Sequence, residues 1–206
     1  MSNLWVKVAD GNCSFVAQTA FEPAASEEYG AAAGWTTVDV GGSGADTLQV
    51  EVGMFNKSTT RIPEAMFMQF QPTGNTGAGK GKWYADKLGE WVGEDEIVPG
   101  GSQHLQGVME GGLRYNVSGR AMSIGSTDAG LANFGELTAY PSPVNTSADT
   151  GTYGASFVLF DNLWGTNYVE WWPFQVPPPA QYAESSQYFP SSWNNDMVSR
   201  YTITLG

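Results

Sequence analysis

Apolar and polar residues alternate with a period of two along most of the chain. Leu48, Val50, Val52 and Met54 are separated by Gln49, Glu51 and Gly53, the pattern of a strand with one buried face. Leu113, Tyr115 and Val117 alternate with Arg114 and Asn116, and after Ser118-Gly119 the alternation resumes at Met122 and Ile124. Two alternating runs joined by so short a turn predict a β-hairpin. Tyr201, Ile203 and Leu205, spaced by Thr202 and Thr204, predict a further strand. Shorter candidates cover Leu4–Val8, Ser14–Ala17, Trp35–Val40, Ala65–Phe70, Trp83–Leu88, Leu105–Met109 and Ala155–Phe160. No segment keeps apolar residues at three-and-four spacing over three turns, and only Ala24–Ala33 suits a short helix. About ten to fourteen short strands between Gly-rich turns predict an all-β, antiparallel β-sandwich, because two sheets must cover each other's apolar faces. No repeat or internal boundary divides residues 1–206, which read as a single domain.

Composition narrows the function classes. Hydrophobic residues make up 41% of the 206 positions, ample for a packed core, while charged residues reach only 15%. Nine Lys and Arg against 21 Asp and Glu give a net charge of -12. That balance argues against a phosphate-tracking nucleic-acid binder and against an anionic membrane surface. No apolar run approaches the roughly 18 residues of a membrane span. A single cysteine, Cys13, rules out an internal disulfide framework and a multi-cysteine zinc site. One histidine, His104, leaves little for a metal centre or a Ser-His-Asp arrangement. No metal and no cofactor are therefore expected. Sequons at Asn12, Asn56, Asn116 and Asn145 are glycosylation candidates and suit an extracellular, secreted location, although no charged-then-apolar leader is visible.

Two segments stand out chemically. Residues 159–174 hold Trp164, Tyr168, Trp171, Trp172 and Phe174 beside Asp161, Asn162, Asn167 and Glu170. Flat rings cover the C–H faces of a pyranose while amides and carboxylates bond its hydroxyls, so this pattern points to carbohydrate. The second segment, 83–98, carries Asp86, Glu90, Glu94, Asp95 and Glu96. Glycoside hydrolysis needs two carboxylates across a cleft, and no such pair is singled out; 94–96 reads as a solvated acidic turn. The Gly-rich loop 72–82 lacks the spacing and the following helix of a phosphate-binding loop.

Five blocks, in order, carry a family resemblance. They are Asn56-Lys57 with Arg61-Ile62-Pro63-Glu64-Ala65; Asp86-Lys87-Leu88-Gly89 with Trp91; Gly101-Ser102-Gln103-His104-Leu105; Ser126-Thr127-Asp128-Ala129; and Asn162-Leu163-Trp164-Gly165-Thr166-Asn167-Tyr168 with Trp171. Over roughly residues 29–205 the chain resembles the C-terminal β-sandwich region of an uncharacterised family of large secreted proteins. That family is similar to the α-mannosidases of glycoside hydrolase family 38. The chain departs from the pattern at Gln106, where the family tends to carry His, and at Thr127–Gly130, which replaces a more usual Leu-Asp-Ala-Pro. The resemblance implies a supersandwich of galactose-mutarotase type that packs on an upstream catalytic α/β barrel.

The leading expectation is thus a non-catalytic, carbohydrate-associated sandwich, with Trp164, Asn167, Tyr168 and Trp171 lining the sugar side. Asp161, Asn162 and Asp128 would bond hydroxyls or hold the loop. One rival is a stand-alone extracellular filament or coat subunit, with strand edges as self-association surfaces. The other is a free-standing carbohydrate-binding protein or hydrolase drawing on Asp86, Glu90, Glu64 or Asp128.

Overall fold

In a computed structural model, the chain is described at residues 1–10, 12–29, 34–41, 44–57, 64–73, 80–98, 106–137, 149–162 and 195–206. Twelve strands appear among the described residues: β1 (Asn3–Ala9), β2 (Asn12–Thr19), β3 (Gly34–Gly41), β4 (Gly44–Lys57), β5 (Glu64–Phe70), β6 (Lys82–Lys87), β7 (Glu90–Gly93), β8 (Leu113–Val117), β9 (Arg120–Ser126), β10 (Ala132–Phe134), β11 (Ala155–Asn162) and β12 (Asn195–Leu205). Two short helices, α1 (Pro23–Tyr29) and α2 (Thr150–Tyr153), complete the list. Neither is long and apolar enough to cross a membrane.

Nine strands form one antiparallel sheet in the order β1-β2-β3-β4-β12-β9-β8-β6-β7, and β10-β11-β5 form a second. Register keeps the apolar set on one face of the large sheet. Val50 lies opposite Tyr201, Ile203 opposite Ile124, Ile124 opposite Leu113, and Tyr115 opposite Trp83. A one-residue slip would turn all of them to solvent. The small sheet covers this face with Phe70, Ala132, Phe134, Ala155 and Phe157, so the fold is an all-β sandwich. The two sheets meet ring to ring: Phe157 lies 5.3 Å from Tyr201, and Phe70 packs edge-on to Tyr201 at 5.6 Å.

The small sheet is too narrow to cover the large one entirely. Beyond β4 the apolar face continues across β3, β2 and β1, where Leu4, Val6 and Val8 stand in solvent. On the other face of this wing Trp5 stacks on Trp35 at 5.8 Å.

Two strand expectations and one helix expectation need correction. Of the strand expected over Leu105–Met109, the described residues Gln106–Met109 make only an isolated bridge, Gly107 to Leu131, and Leu105 lies outside the described residues. The run Trp83–Leu88 ends at Lys87, because Leu88 and Gly89 take positive φ (60° and 89°) and turn the chain into β7. Leu88 is accordingly exposed despite its apolar side chain. The helix expected over Ala24–Ala33 is Pro23–Tyr29, with residues 30–33 outside the described set.

Candidate ligand-binding site

Antiparallel pairing fixes which strand ends lie together. The start of β12 is one end of the sandwich, here the upper end. Register then places the end of β4 at it, while the ends of β6 and β9 and the beginnings of β7 and β8 point the same way but stop lower, since Ser126 faces Tyr201 and Leu113 lies level with Ile203. The small sheet is oriented by two contacts between the layers: Phe157 meets Tyr201 lower down, and Phe160 meets Lys57 higher up.

Described residues of the first and last sequence blocks sit at this upper end, and those of the second and fourth lie on the same side of the sandwich but lower down. Lys57 ends β4 opposite Asn195, and Glu64 begins β5 opposite Asn162. Asp86 and Lys87 close β6, Ser126 ends β9, and Thr127, Asp128 and Ala129 follow it. Gly101–Leu105 lie outside the described residues but run directly into Gln106, whose carbonyl accepts from the Ala132 N–H at 2.9 Å. Lys57 and Glu64 therefore meet the end of β11 at Asn162, far along the chain, whereas Ser126, opposite Tyr201, and Asp86 lie well down the sheet from Asn195.

Lys57 is the residue that sequence reasoning did not single out. Its side chain is 1% exposed, and its ammonium lies 5.0 Å from the centre of the Phe160 ring, one residue before Asp161. A buried lysine needs compensating contacts, and a ring face is one such contact. The signal was present as a cation closing the alternating run of β4, but its burial depends on β11, far along the chain. Beneath it a mostly apolar cleft of about 350 Å³ separates the sheets, with Val52, Met54, Ala65, Met66 and Leu159 among its walls.

Asp128 is held firmly. Its Oδ2 accepts from the backbone N–H and the Nε of Arg200, both at 2.9 Å, and Oδ1 accepts from Nη2 at 2.7 Å. The Ser126 Oγ accepts from the Ala129 N–H at 2.9 Å, and Thr127 N–H donates to the Arg200 carbonyl, so the turn is pinned at three points. The guanidinium hydrogen bonds hold the Asp128 carboxyl below its ordinary range. A carboxylate offers about four acceptor positions. Three are taken here, which makes Asp128 chiefly a brace for the loop. Asp161 and Asn162 end β11, paired with Ala65 and Glu64; only their backbone is described. Trp164, Asn167, Tyr168 and Trp171 lie outside the described residues, as do His104 and Asn145.

The other acids serve the scaffold. Asp86 accepts from the N–H groups of Gly89 (2.9 Å) and Gly111 (3.1 Å), tying the β6–β7 turn to the segment before β8. Glu90 is exposed at the start of β7, and the Glu64 side chain is not described. Lys87 donates to the Gly107 carbonyl at 2.6 Å, and burial pushes its ammonium down from the ordinary range. The turn 94–96 belongs to the opposite end of the sandwich, beyond β7. Asp95 and Glu96 are exposed and both bond Lys82, as a solvated turn would. Glu94 departs from that expectation: it is half-buried, and desolvation pushes its carboxyl up. Among the described residues no three His, Cys, Asp or Glu side chains are grouped to hold a metal.

Of the sequons, Asn12 is exposed at the start of β2, whereas Asn116 lies in β8 with its Oδ1 enclosed. Asn56 is on β4, with its side chain not described.

These features define a class: an antiparallel sandwich in which Asp86, Glu96 and Asp128 brace turns. No protein-family model, curated protein or solved structure matches this chain.

Proposed function

We propose that the chain is a non-catalytic, carbohydrate-associated β-sandwich of a secreted, glycoside-hydrolase-like protein. Its upper rim contributes a Trp- and Asn-rich segment to a sugar cleft, and the sandwich packs on an upstream catalytic barrel. One observation carries the reading. The first and last blocks that carry the family resemblance, represented by Lys57, Glu64 and Asn162, meet where the ends of β4 and β11 and the starts of β5 and β12 lie together. From that same end β11 leads straight into Leu163–Phe174. The engagement of Asp86, Asp95, Glu96 and Asp128 in structural hydrogen bonds agrees with a support role rather than acid–base chemistry. Carbohydrate is the ligand class because flat aromatic side chains close in sequence to amides suit alternating C–H faces and hydroxyls.

The test is binding of the intact chain to a panel of immobilised oligosaccharides, mannosides included. Trp164→Ala, checked for unchanged circular dichroism, is expected to weaken binding at least about tenfold, equivalent to about 1.4 kcal/mol. Glu96→Ala, at the opposite end, should leave it unchanged. Undiminished binding in Trp164→Ala, or no binding to any glycan on the panel, would overturn the proposal.

A further inference from the structure

Strand β1 is the outer edge of the nine-stranded sheet, and all seven of its residues are exposed. Among the described residues no strand pairs with its outer side. Leu4, Val6 and Val8 project from one face at 51%, 61% and 74% exposure, and Trp5 from the other at 49%. Edge strands are ordinarily protected by proline, bulges or several charges. β1 has no proline, pairs with β2 in unbroken register from Asn3 to Ala9, and carries one charge, Lys7.

The charge distribution points to the occupant. Between Met1 and Phe21 the only charged side chains are Lys7 and Asp10, which cancel, in a chain whose net charge is -12. Two acidic molecules repel through their negative surfaces, and this wing adds no net charge to that repulsion.

We propose that β1 is a self-pairing edge, through which two copies of the chain join antiparallel about a two-fold axis at Val6. The sheet then runs continuously across the dimer. The register follows from the side chains. Val6 meets Val6 of the second copy, Leu4 meets Val8, Trp5 meets Lys7 and Asn3 meets Ala9. This is the two-fold register that pairs the whole strand. Centring it on Lys7 would set two ammonium groups opposite each other, which is unfavourable. Centring it on Val6 places each Lys7 beside a Trp5 ring, a favourable cation–π arrangement. It also keeps Leu4, Val6 and Val8 of both copies on one face.

Cross-linking reads this register directly. In the full chain with Cys13→Ser, Val6→Cys is expected to form a disulfide-linked dimer on mild oxidation. Opposed residues in an antiparallel pair lie roughly 4.5–5.5 Å apart at Cα, within the disulfide range of about 4.4–6.8 Å. Leu4→Cys should not cross-link, since its two copies would stand about 13 Å apart along the strand. Val6→Lys, at an exposed position, should raise the dimer dissociation constant at least about tenfold by sedimentation velocity, with unchanged circular dichroism. A monomer at every concentration overturns the proposal. So does a dimer that Val6→Lys leaves intact, or equal cross-linking through Leu4→Cys. None of these outcomes depends on glycan binding.

Discussion

Phe157 tests whether the sandwich is held where its two sheets meet. Its side chain is fully buried on β11, 6.2 Å from the Phe70 ring and 5.3 Å from the Tyr201 ring of the large sheet. Phe157→Ala removes the ring from both contacts and leaves a cavity between layers that strand pairing prevents from collapsing. Such truncations cost about 3–5 kcal/mol. For a domain of this size each kcal/mol lowers Tm by about 2–4 °C, so a fall of roughly 6–20 °C is expected. Urea unfolding followed by tryptophan fluorescence is a suitable assay, because Trp83 is wholly buried in the same core. The slope with denaturant should stay constant while the midpoint falls. Val98→Ala is the control: that residue is 57% exposed and its truncation should change stability by no more than about 0.5 kcal/mol. A Phe157→Ala cost below about 1 kcal/mol, or one equal to the control, would show that the sheets do not depend on this junction.

Acid should destabilise the fold with a defined sign. Hydrogen bonds from Lys82 and Arg200 lower the carboxyls of Asp95 and Asp128 below 3.8, and the Gly93 N–H lowers Glu96 below 4.5. Their stabilising contribution is present above those ordinary values and disappears as pH falls through the lowered ones. Glu94 acts oppositely: raised by burial, it favours folding below 4.5 and loses that contribution as pH rises through its folded value. Urea midpoints measured from pH 7 down to pH 3 should drop below pH 4, and a flat profile would refute these assignments. Glycine substitutions offer a separate check. Gly112 has a φ of +66°, and an added Cβ would overlap the Ile124 carbonyl oxygen, so Gly112→Ala should cost about 2–5 kcal/mol. Gly89, at φ +89° with open space around it, should lose only about 1–2 kcal/mol on the same change, and equal losses in thermal melts would contradict the geometry.

Much of the fold was legible because one-sided burial leaves a period of two. Leu48–Met54 marked the middle of β4, and Ser118-Gly119 marked the β8–β9 turn, where both residues take positive φ (49° and 80°). β7 and β10 escaped notice because four and three residues are too few to show an alternation. Leu105–Met109 misled because the apolar Val108 and Met109 follow a polar residue and a glycine, a strand-like spacing, whereas only one bridge forms there. In the candidate site, Asp128 was named from its block, but its partner Arg200 lies 72 residues away. The burial of Lys57 beneath Phe160 is likewise a tertiary event with no local trace. The meeting of Lys57, Glu64 and Asn162 at one end follows from strand pairing, which alternation does not encode.

The position of β12 bears on how such a chain acquires its structure. Asn195–Leu205 lies between β4 and β9 and is the only described strand joining the block β1–β4 to the block formed by β6–β9. Each block is built from neighbours in sequence and can form early, but Gln49 and Thr202, hydrogen-bonded at 3.0 Å, are 153 residues apart. Closure of the sheet is thus a late, long-range event of the kind that makes β-proteins slow to fold. Until it occurs, both halves present an open central edge, with Val50 and Val52 on one side and Ile124 on the other. During synthesis that is the interval of greatest exposure to mispairing, and β12 acts as the keystone that ends it.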